Sequence, residues 1–329
     1  MGISIDIGTS NLVAGRLVGD QVETKRLRNA FIEIDEEQSQ RLISGSINTV
    51  KIGDHSYIVG DEAISIARIL AKEVRRPMAS GILNPEEREG RSVISALVKA
   101  LIGTSRDGEK CCFSVPSVPV DNPKANTVWH TGFFTQLLEK LGYEPEAVNE
   151  ALAIIYAECA EDDHSGIAIS HGAGQVNVAA TYKLVGSLMF SISRSGDWID
   201  SNSAAAVGTP ISKILKIKED PNFDLLNPDK IDEEIGSAIY YHYVAMIRYE
   251  LQHLVREWGK MKNQLDFPDA IPIILSGGTA LIKGFKEIWE LELKKFEKKN
   301  PLPFKVKEVR MAKDPLGAVA RGLLTYSLI

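Results

Sequence analysis

Ile3-Ser4-Ile5-Asp6-Ile7, then Gly8-Thr9-Ser10-Asn11, then Leu12-Val13-Ala14-Gly15-Arg16-Leu17 sets apolar residues at alternate positions, breaks for four small or polar ones and resumes apolar. Period-two alternation around a short polar turn reads as a β-hairpin. The pattern returns in mid-chain, where Gly166-Ile167-Ala168-Ile169 runs through Ser170-His171-Gly172-Ala173-Gly174-Gln175 into Val176-Asn177-Val178-Ala179-Ala180. Two similar hairpins this far apart point to a duplicated pair of lobes, because solenoid repeats are far shorter.

The segments between them fit that reading. Residues 93–102, 131–141 and 150–159 have helical spacing of apolar side chains, and residues 112–115 read as a short strand before Pro116. Strand alternating with helix indicates an α/β architecture. Beyond Asp200 come two helical runs, residues 211–219 and 231–258, separated by Asp220-Pro221-Asn222, as in an inserted helical subdomain. A buried-strand run at residues 271–275 leads into Ser276-Gly277-Gly278-Thr279, which opens another helix. Residues 287–299 mix acidic and basic side chains and read as a solvated helix face.

The length of 329 residues suits two domains. A net charge of −6 gives no electrostatic footprint for nucleic acid. Cys111, Cys112 and Cys159 have neither disulfide nor metal-ligand spacing and read as core thiols of a reducing cytoplasm. No charged-then-apolar leader and no run of about 18 apolar residues appears, so neither export nor a membrane span is expected.

A hairpin tip of small residues lets backbone N–H groups approach a phosphate closely. Gly8, Thr9, Ser10 and Asn11 have that character, as do Ser170, His171, Gly172, Ala173, Gly174 and Gln175. Asp6, at the end of the first strand, is placed to hold a hydrated magnesium ion, which keeps most of its waters and takes few carboxylates.

In order along the chain these elements resemble the motifs of the actin and MreB superfamily. Residues 5–11 resemble its first phosphate loop and Gly172-Ala173-Gly174 its second; Gly277, Gly278, Thr279 and Lys283 resemble its adenosine-binding turn; Lys218-Glu219 resembles its nucleoside-contacting pair; and residues 314–322 resemble the helix that links its lobes. Gly196 and Asp197 fit the Gly-Asp segment that opens its fourth subdomain. Arg76-Pro77-Met78-Ala79-Ser80-Gly81-Ile82-Leu83 is similar to the Arg-Pro segment of MreB and MamK filaments, and Asn122-Pro123-Lys124-Ala125-Asn126 to a stretch of actin itself.

The resemblance implies a two-lobed, actin-like ATPase fold, built as a duplicated ribonuclease-H-like unit with inserted subdomains. Lobe I is expected over residues 1–149 and 316–329, with a small insertion near 28–74, and lobe II over 150–315, with a helical insertion near 186–262. It implies ATP or ADP with Mg2+ held in the cleft between lobes, Glu150 orienting the attacking water, and self-assembly into a head-to-tail cytoplasmic filament. Direct nucleic-acid binding and membrane insertion are not expected, the first strand starting at residue 3.

Three positions depart from the pattern: Ser170 stands where the family has a magnesium-organising Asp, Gln175 where bacterial relatives often have Thr, and Ala151 where they have Pro. Nucleotide binding with weakened hydrolysis is the expected outcome. A non-polymerising nucleotide-sensing scaffold and a small-molecule kinase with Asp121 as its carboxylate stay open. A chaperone would need a further domain after the linking helix.

Overall fold

Both hairpins form where the alternation places them. In the structure, a computed structural model that describes residues 2–19, 21–35, 49–122, 124–261 and 267–328, β1 (Ile3–Ile7) pairs antiparallel with β2 (Asn11–Val18), and β2 with β3 (Gln21–Arg28). After them come β4 (Phe31–Ile34), β5 (Thr49–Ile52), β6 (His55–Val59), helix α1 (Asp61–Leu70), the short pair β7 (Met78–Ala79) and β8 (Ile82–Leu83), α2 (Gly90–Ile102), β9 (Lys110–Val115), α3 (Thr127–Lys140) and β10 (Glu144–Asn149). The expected insertion near 28–74 includes residues 36–48, and the actin-like stretch includes Pro123; these lie outside the described residues.

Two units divide the chain: unit 1 is Met1–Val115, Asn126–Val148 and Leu323–Ile329, and unit 2 is Pro116–Ala125 and Asn149–Gly322. Residues 116–125 and 316–322 therefore belong with the second unit. The chain returns to the first within α9 (Ala318–Ser327).

Unit 1 is built on a sheet of order β10-β9-β1-β2-β3, in which β9 runs parallel to β1. Ile3, Ile5 and Ile7 point to one face and join Val93, Leu97 and Leu101 of α2 and Phe134 and Leu138 of α3 in a buried core. Ser4 and Asp6 take the opposite face, as period two requires. Cys111 and Cys112 point to opposite sides of β9 and both are buried; desolvation pushes both thiols up, as it does Cys159. They are chemically quiet thiols. A smaller three-stranded sheet, β4-β6-β5, packs Ile32, Ile34 and Ile58 on Ala63 and Ala67 of α1.

Unit 2 repeats the arrangement. Following α4 (Glu150–Glu158) come β11 (Gly166–His171), β12 (Val176–Tyr182) and β13 (Val185–Ile192). Helices α5 (Gly196–Val207), α6 (Ile211–Lys218) and α7 (Glu233–Lys260) precede β14 (Ile271–Ser276), α8 (Phe285–Glu297) and β15 (Val306–Met311). The sheet order is β13-β12-β11-β14-β15, with β14 parallel to β11. Each unit is thus a three-stranded antiparallel meander followed by a strand laid parallel to the meander's first. Ile167, Ile169 and Val178 face a core with Ile239, Met246 and Ile247 of α7 and Trp289 of α8. α4 packs against β11 and β12.

Of the residues 287–299 read as a solvated face, 287–297 lie in α8, which has more burial than such a face has, since Ile288, Trp289 and Leu293 are buried, and Glu292 is buried with ion pairs to Arg248 and Lys295. Among the described residues no helix is long and apolar enough to cross a membrane.

Candidate functional site

The two hairpin tips have the same backbone geometry. Gly8 N–H donates to Asn11 O at 3.0 Å, and Gly172 N–H donates to Gln175 O at 3.0 Å. A Cβ on Gly8 would sit 2.8 Å from Asn11 O, and one on Gly172 would sit 2.9 Å from Gln175 O, so both tips exclude any larger residue at that point.

In unit 1 the tip is braced by Asn29, which no sequence motif announces, and by Arg76 and Gly81 of the Arg-Pro segment. Asn29 donates its backbone N–H to Ser10 O and its side-chain Nδ2 to Gly8 O, each at 3.0 Å. Arg76 Nη1 donates to Ser10 Oγ at 3.1 Å, and Gly81 N–H donates to Thr9 Oγ1 at 3.2 Å. The Arg-Pro segment therefore supports the tip and brings a guanidinium to it. On the strand below, Ser114 Oγ accepts from Ile7 N–H at 2.7 Å and donates to Asp6 Oδ1 at 2.8 Å. Burial pushes the Asp6 carboxyl up to about 6, against the opposing effect of the Ser114 hydrogen bond. A carboxylate desolvated this far, with one hydroxyl as its partner, fits a position completed by a cation. No group of three or more His, Cys, Asp or Glu that could cage a metal occurs among the described residues, but magnesium needs only one or two carboxylates.

In unit 2 the tip is held by several of the residues read as binding adenosine. Gly172 O accepts from Gly196 N–H at 3.1 Å and Thr279 Oγ1 at 2.9 Å; Ala173 O accepts from Asp197 N–H at 2.8 Å and Ser195 Oγ at 2.6 Å. A Cβ on Gly196 would lie 2.5 Å from Thr279 Oγ1, so only glycine lets α5 start this close to the tip. Gly277, at φ +94, donates its N–H to Pro315 O at 3.0 Å, and a Cβ there would meet the His171 backbone at 2.4 Å. Gly278 and Thr279 follow in a short 3-10 turn. Gly172, Ala173, Gly196, Asp197 and Thr279 thus form one hydrogen-bonded cluster, and Gly277 packs closely against the backbone of His171 beside it.

The remaining residues lie elsewhere. Lys218 Nζ bonds Asp200 Oδ1 at 2.5 Å, and Lys283 Nζ bonds Asp224 Oδ2 at 2.9 Å; neither ammonium bonds the tip. Glu219 follows α6 as its C-terminal cap. The ring of His171, read as part of the phosphate set, turns the other way: it is wholly buried, with Nε2 at 2.8 Å from Glu250 Oε2 and Nδ1 at 3.2 Å from Ser276 O. Trp289 Nε1 donates to the second Glu250 oxygen at 2.9 Å. The reason is the strand's period, which puts residue 171 on the core face with Ile167 and Ile169.

Ser170 lies on the opposite face, in a row of small polar residues that crosses four strands: Ser191, Asn177, Ser170 and Ser276. All four are buried. Ser117 ties this row to the start of α4. Its N–H donates to Asn177 Oδ1 at 2.9 Å, its carbonyl accepts from Ser191 Oγ at 2.8 Å, and its Oγ accepts from Asn149 Nδ2 at 2.9 Å. Asn149 Oδ1 in turn caps α4 by accepting from Ala151 and Leu152 N–H. Glu150, the first residue of that helix, is thereby anchored to the polar row. Asp121 accepts from Ser193 N–H, Ser193 Oγ and Tyr249 OH.

Comparison with solved structures finds the same fold at low identity. The chain is similar to a MamK double helical filament with a TM-score of 0.67 and 16% identity, covering 100% of this chain and 99% of that one. It is also similar to a non-polymerising MamK mutant bound to AMPPNP, with a TM-score of 0.56 and 15% identity over 99% and 98% of the two chains. The fold is therefore the actin-like one. Comparison with curated proteins gives no match. A family model described as Volactin matches residues 1–326.

Proposed function

The chain belongs to the Volactin family, and we propose that it is an actin-like cytoskeletal protein that binds ATP with Mg2+ and polymerises head to tail, hydrolysing the nucleotide slowly. The observation that carries this reading is the pair of matched tips, each closed by a glycine N–H to the carbonyl three residues on, at the same 3.0 Å. Tips of that shape offer backbone donors to phosphate. Asp6 would hold the metal, which supplies charge neutralisation at the phosphates. Glu150 would orient water, and Gly277, Gly278 and Thr279 with Lys218, Glu219 and Lys283 would face the nucleoside. The solved structures it resembles, a MamK double helical filament and a non-polymerising MamK mutant bound to AMPPNP, support assembly and nucleotide binding as readings for this fold.

Slow turnover follows from Ser170, which supplies no charge where the superfamily has Asp. The same residue favours a second reading, a nucleotide-sensing scaffold that binds ATP without assembling. No observation favours the kinase reading; its candidate carboxylate, Asp121, accepts from Ser193 N–H, Ser193 Oγ and Tyr249 OH. Sedimentation and negative-stain microscopy with ATP, ADP and no nucleotide, with phosphate release followed in the same tubes, tests the proposal. ATP-dependent filaments with slow release are expected; ATP binding without filaments in any condition would favour the scaffold.

A further inference from the structure

We propose that Arg194 is the receptor for an acidic side chain of a second copy of this chain, a contact that deepens the self-assembly reading above and rests on it. Arg194 lies two residues before α5, and its guanidinium carbon sits 3.9 Å from the centroid of the Tyr249 ring and 5.1 Å from that of Trp198. Tyr249 is fixed in turn by its hydroxyl, which donates to Asp121 Oδ2 at 3.2 Å. A cation–π contact positions a guanidinium without using its five N–H donors. Among the described residues Arg194 makes no hydrogen bond or ion pair beyond these ring contacts, and Asp121 bonds Ser193 and Tyr249 instead.

Arg194 lines a cavity of about 180 Å3 against one face of α7, where Tyr241, Ala245, Arg248, Tyr249 and Gln252 follow at helical spacing. That is smaller than the roughly 300–1,000 Å3 of a small-molecule site and suits one side-chain head group. Arg248 adds a second guanidinium, paired with Glu292, and Tyr241 stands exposed beside it. Arginine and tyrosine around a small pocket are the composition of interface anchors, and a guanidinium takes a carboxylate with two parallel hydrogen bonds. The charge balance of the chain indicates where that carboxylate comes from. The net charge is −6, and unit 1 has the reverse imbalance: Arg75 is bonded by Glu87 and Glu89 and has Glu33 at 3.6 Å, three carboxylates on one guanidinium. A chain with acid in surplus on one unit and an unpaired arginine on the other is complementary to another copy of itself in a heterologous contact.

Sedimentation of the full chain with ATP and Mg2+ tests the assignment. Arg194→Gln should raise the critical concentration about tenfold, and Arg194→Lys should raise it less, an ammonium keeping the charge without the fork. Arg194→Glu should not assemble alone. It keeps the surface that another copy's Arg194 recognises, so small amounts added to wild type should cap growing filaments, whereas a variant that is merely misfolded would be inert. Calorimetry should find ATP affinity within about twofold of wild type in each variant, since Arg194 does not bond the tip. Glutarate, a free dicarboxylate, should change the tryptophan fluorescence of the unassembled wild-type chain saturably, through Trp198, and not that of Arg194→Gln. Unchanged assembly in Arg194→Gln would overturn the second copy as occupant, and a retained glutarate response would then assign the site to a different acidic partner. Lost assembly without capping, or no response to glutarate, would place Arg194 in the packing of unit 2 and overturn the receptor. A wild-type chain that forms no filaments would defeat the assembly reading by itself, leaving the glutarate response to decide whether Arg194 takes a carboxylate.

Discussion

The two hairpins share a backbone and differ in where they keep their ionisable groups. In unit 1, Asp6 faces the polar side of the sheet and Ile7 enters the core; in unit 2, Ser170 takes the Asp6 position and His171 the Ile7 position. The carboxylate is thus on the polar side of one tip, while in the other an imidazole is on the core side, bonded to Glu250. Matched glycine geometry with mismatched chemistry shows that the tip's shape, set by backbone hydrogen bonds, is independent of the charges on the strand beneath it.

The largest consequence concerns the core side. Glu250→Ala would leave the His171 and Trp289 donors buried without an acceptor, and removing one member of a buried pair costs about 3–5 kcal/mol. The counterpart Ile7→Val should cost only about 1 kcal/mol. Denaturant melts of the two variants measure the contrast. Equal losses would mean that the histidine and the isoleucine play the same packing role.

Next in size is the equivalence of the tips themselves. Gly8→Ala and Gly172→Ala bring a Cβ to 2.8 Å and 2.9 Å of a carbonyl oxygen, displacing each tip by a similar amount. Each should lower ATP affinity about 100-fold, the scale of a misplaced phosphate-binding group. If only one of them weakens binding, the tips are duplicated in form but not in use.

How much of this could be read from the sequence follows the range of the interactions. Alternation reports which face a side chain takes, so both hairpins, α2, α4 and β14 were legible. The same alternation carried the information that His171 joins Ile167 and Ile169 in the core, but proximity to Gly172 suggested phosphate instead. Glu250, its partner on α7, is distant in sequence and carries no motif. Asn29 braces the first tip through two bonds that only the folded sheet brings together. Lys218 and Lys283 resemble nucleoside contacts in the sequence, and their ion pairs with Asp200 and Asp224 are not legible there because these partners become neighbours only through the packing of unit 2. The polar row was visible as four separate residues; its continuity depends on strand register.

Asp6 gives the polar side a pH dependence. Its carboxyl is raised to about 6 by burial, so between roughly pH 4 and pH 6 the folded chain binds more protons than the unfolded one. Stability of the metal-free protein therefore falls as pH rises through that window, and the loss is complete above it. With allowance for solvent reaching a half-buried group, the effect is about 2 kcal/mol. Asp6→Asn should abolish this dependence and stabilise the metal-free chain at pH 7.5, and, if Asp6 holds the metal as proposed, a gain in melting temperature with Mg2+ and ATP should be seen in the wild type and not in the variant. Thermal melts across pH, with and without Mg2+, read both; a flat wild-type profile would place Asp6 in a wetter setting than its raised carboxyl requires.

The smallest effect tests the comparison most directly. Ser170→Asp gives the second strand the carboxylate that the first already has, at the same position before the tip glycine. If the shape of the tip is independent of these charges, the fold tolerates the exchange at a cost of about 1–3 kcal/mol without metal, the usual penalty for a buried polar group short of partners. A second acceptor near the metal's water should then raise phosphate release about tenfold, the low end of what a positioned acid or base contributes. ATP affinity should fall at the same time, because the bound phosphates would meet a second negative charge. A faster reaction with weaker binding would show that the serine trades turnover for retention. An unchanged rate would mean that hydrolysis is limited by Glu150 or by a later step, and that the charge difference between the two strands concerns binding alone.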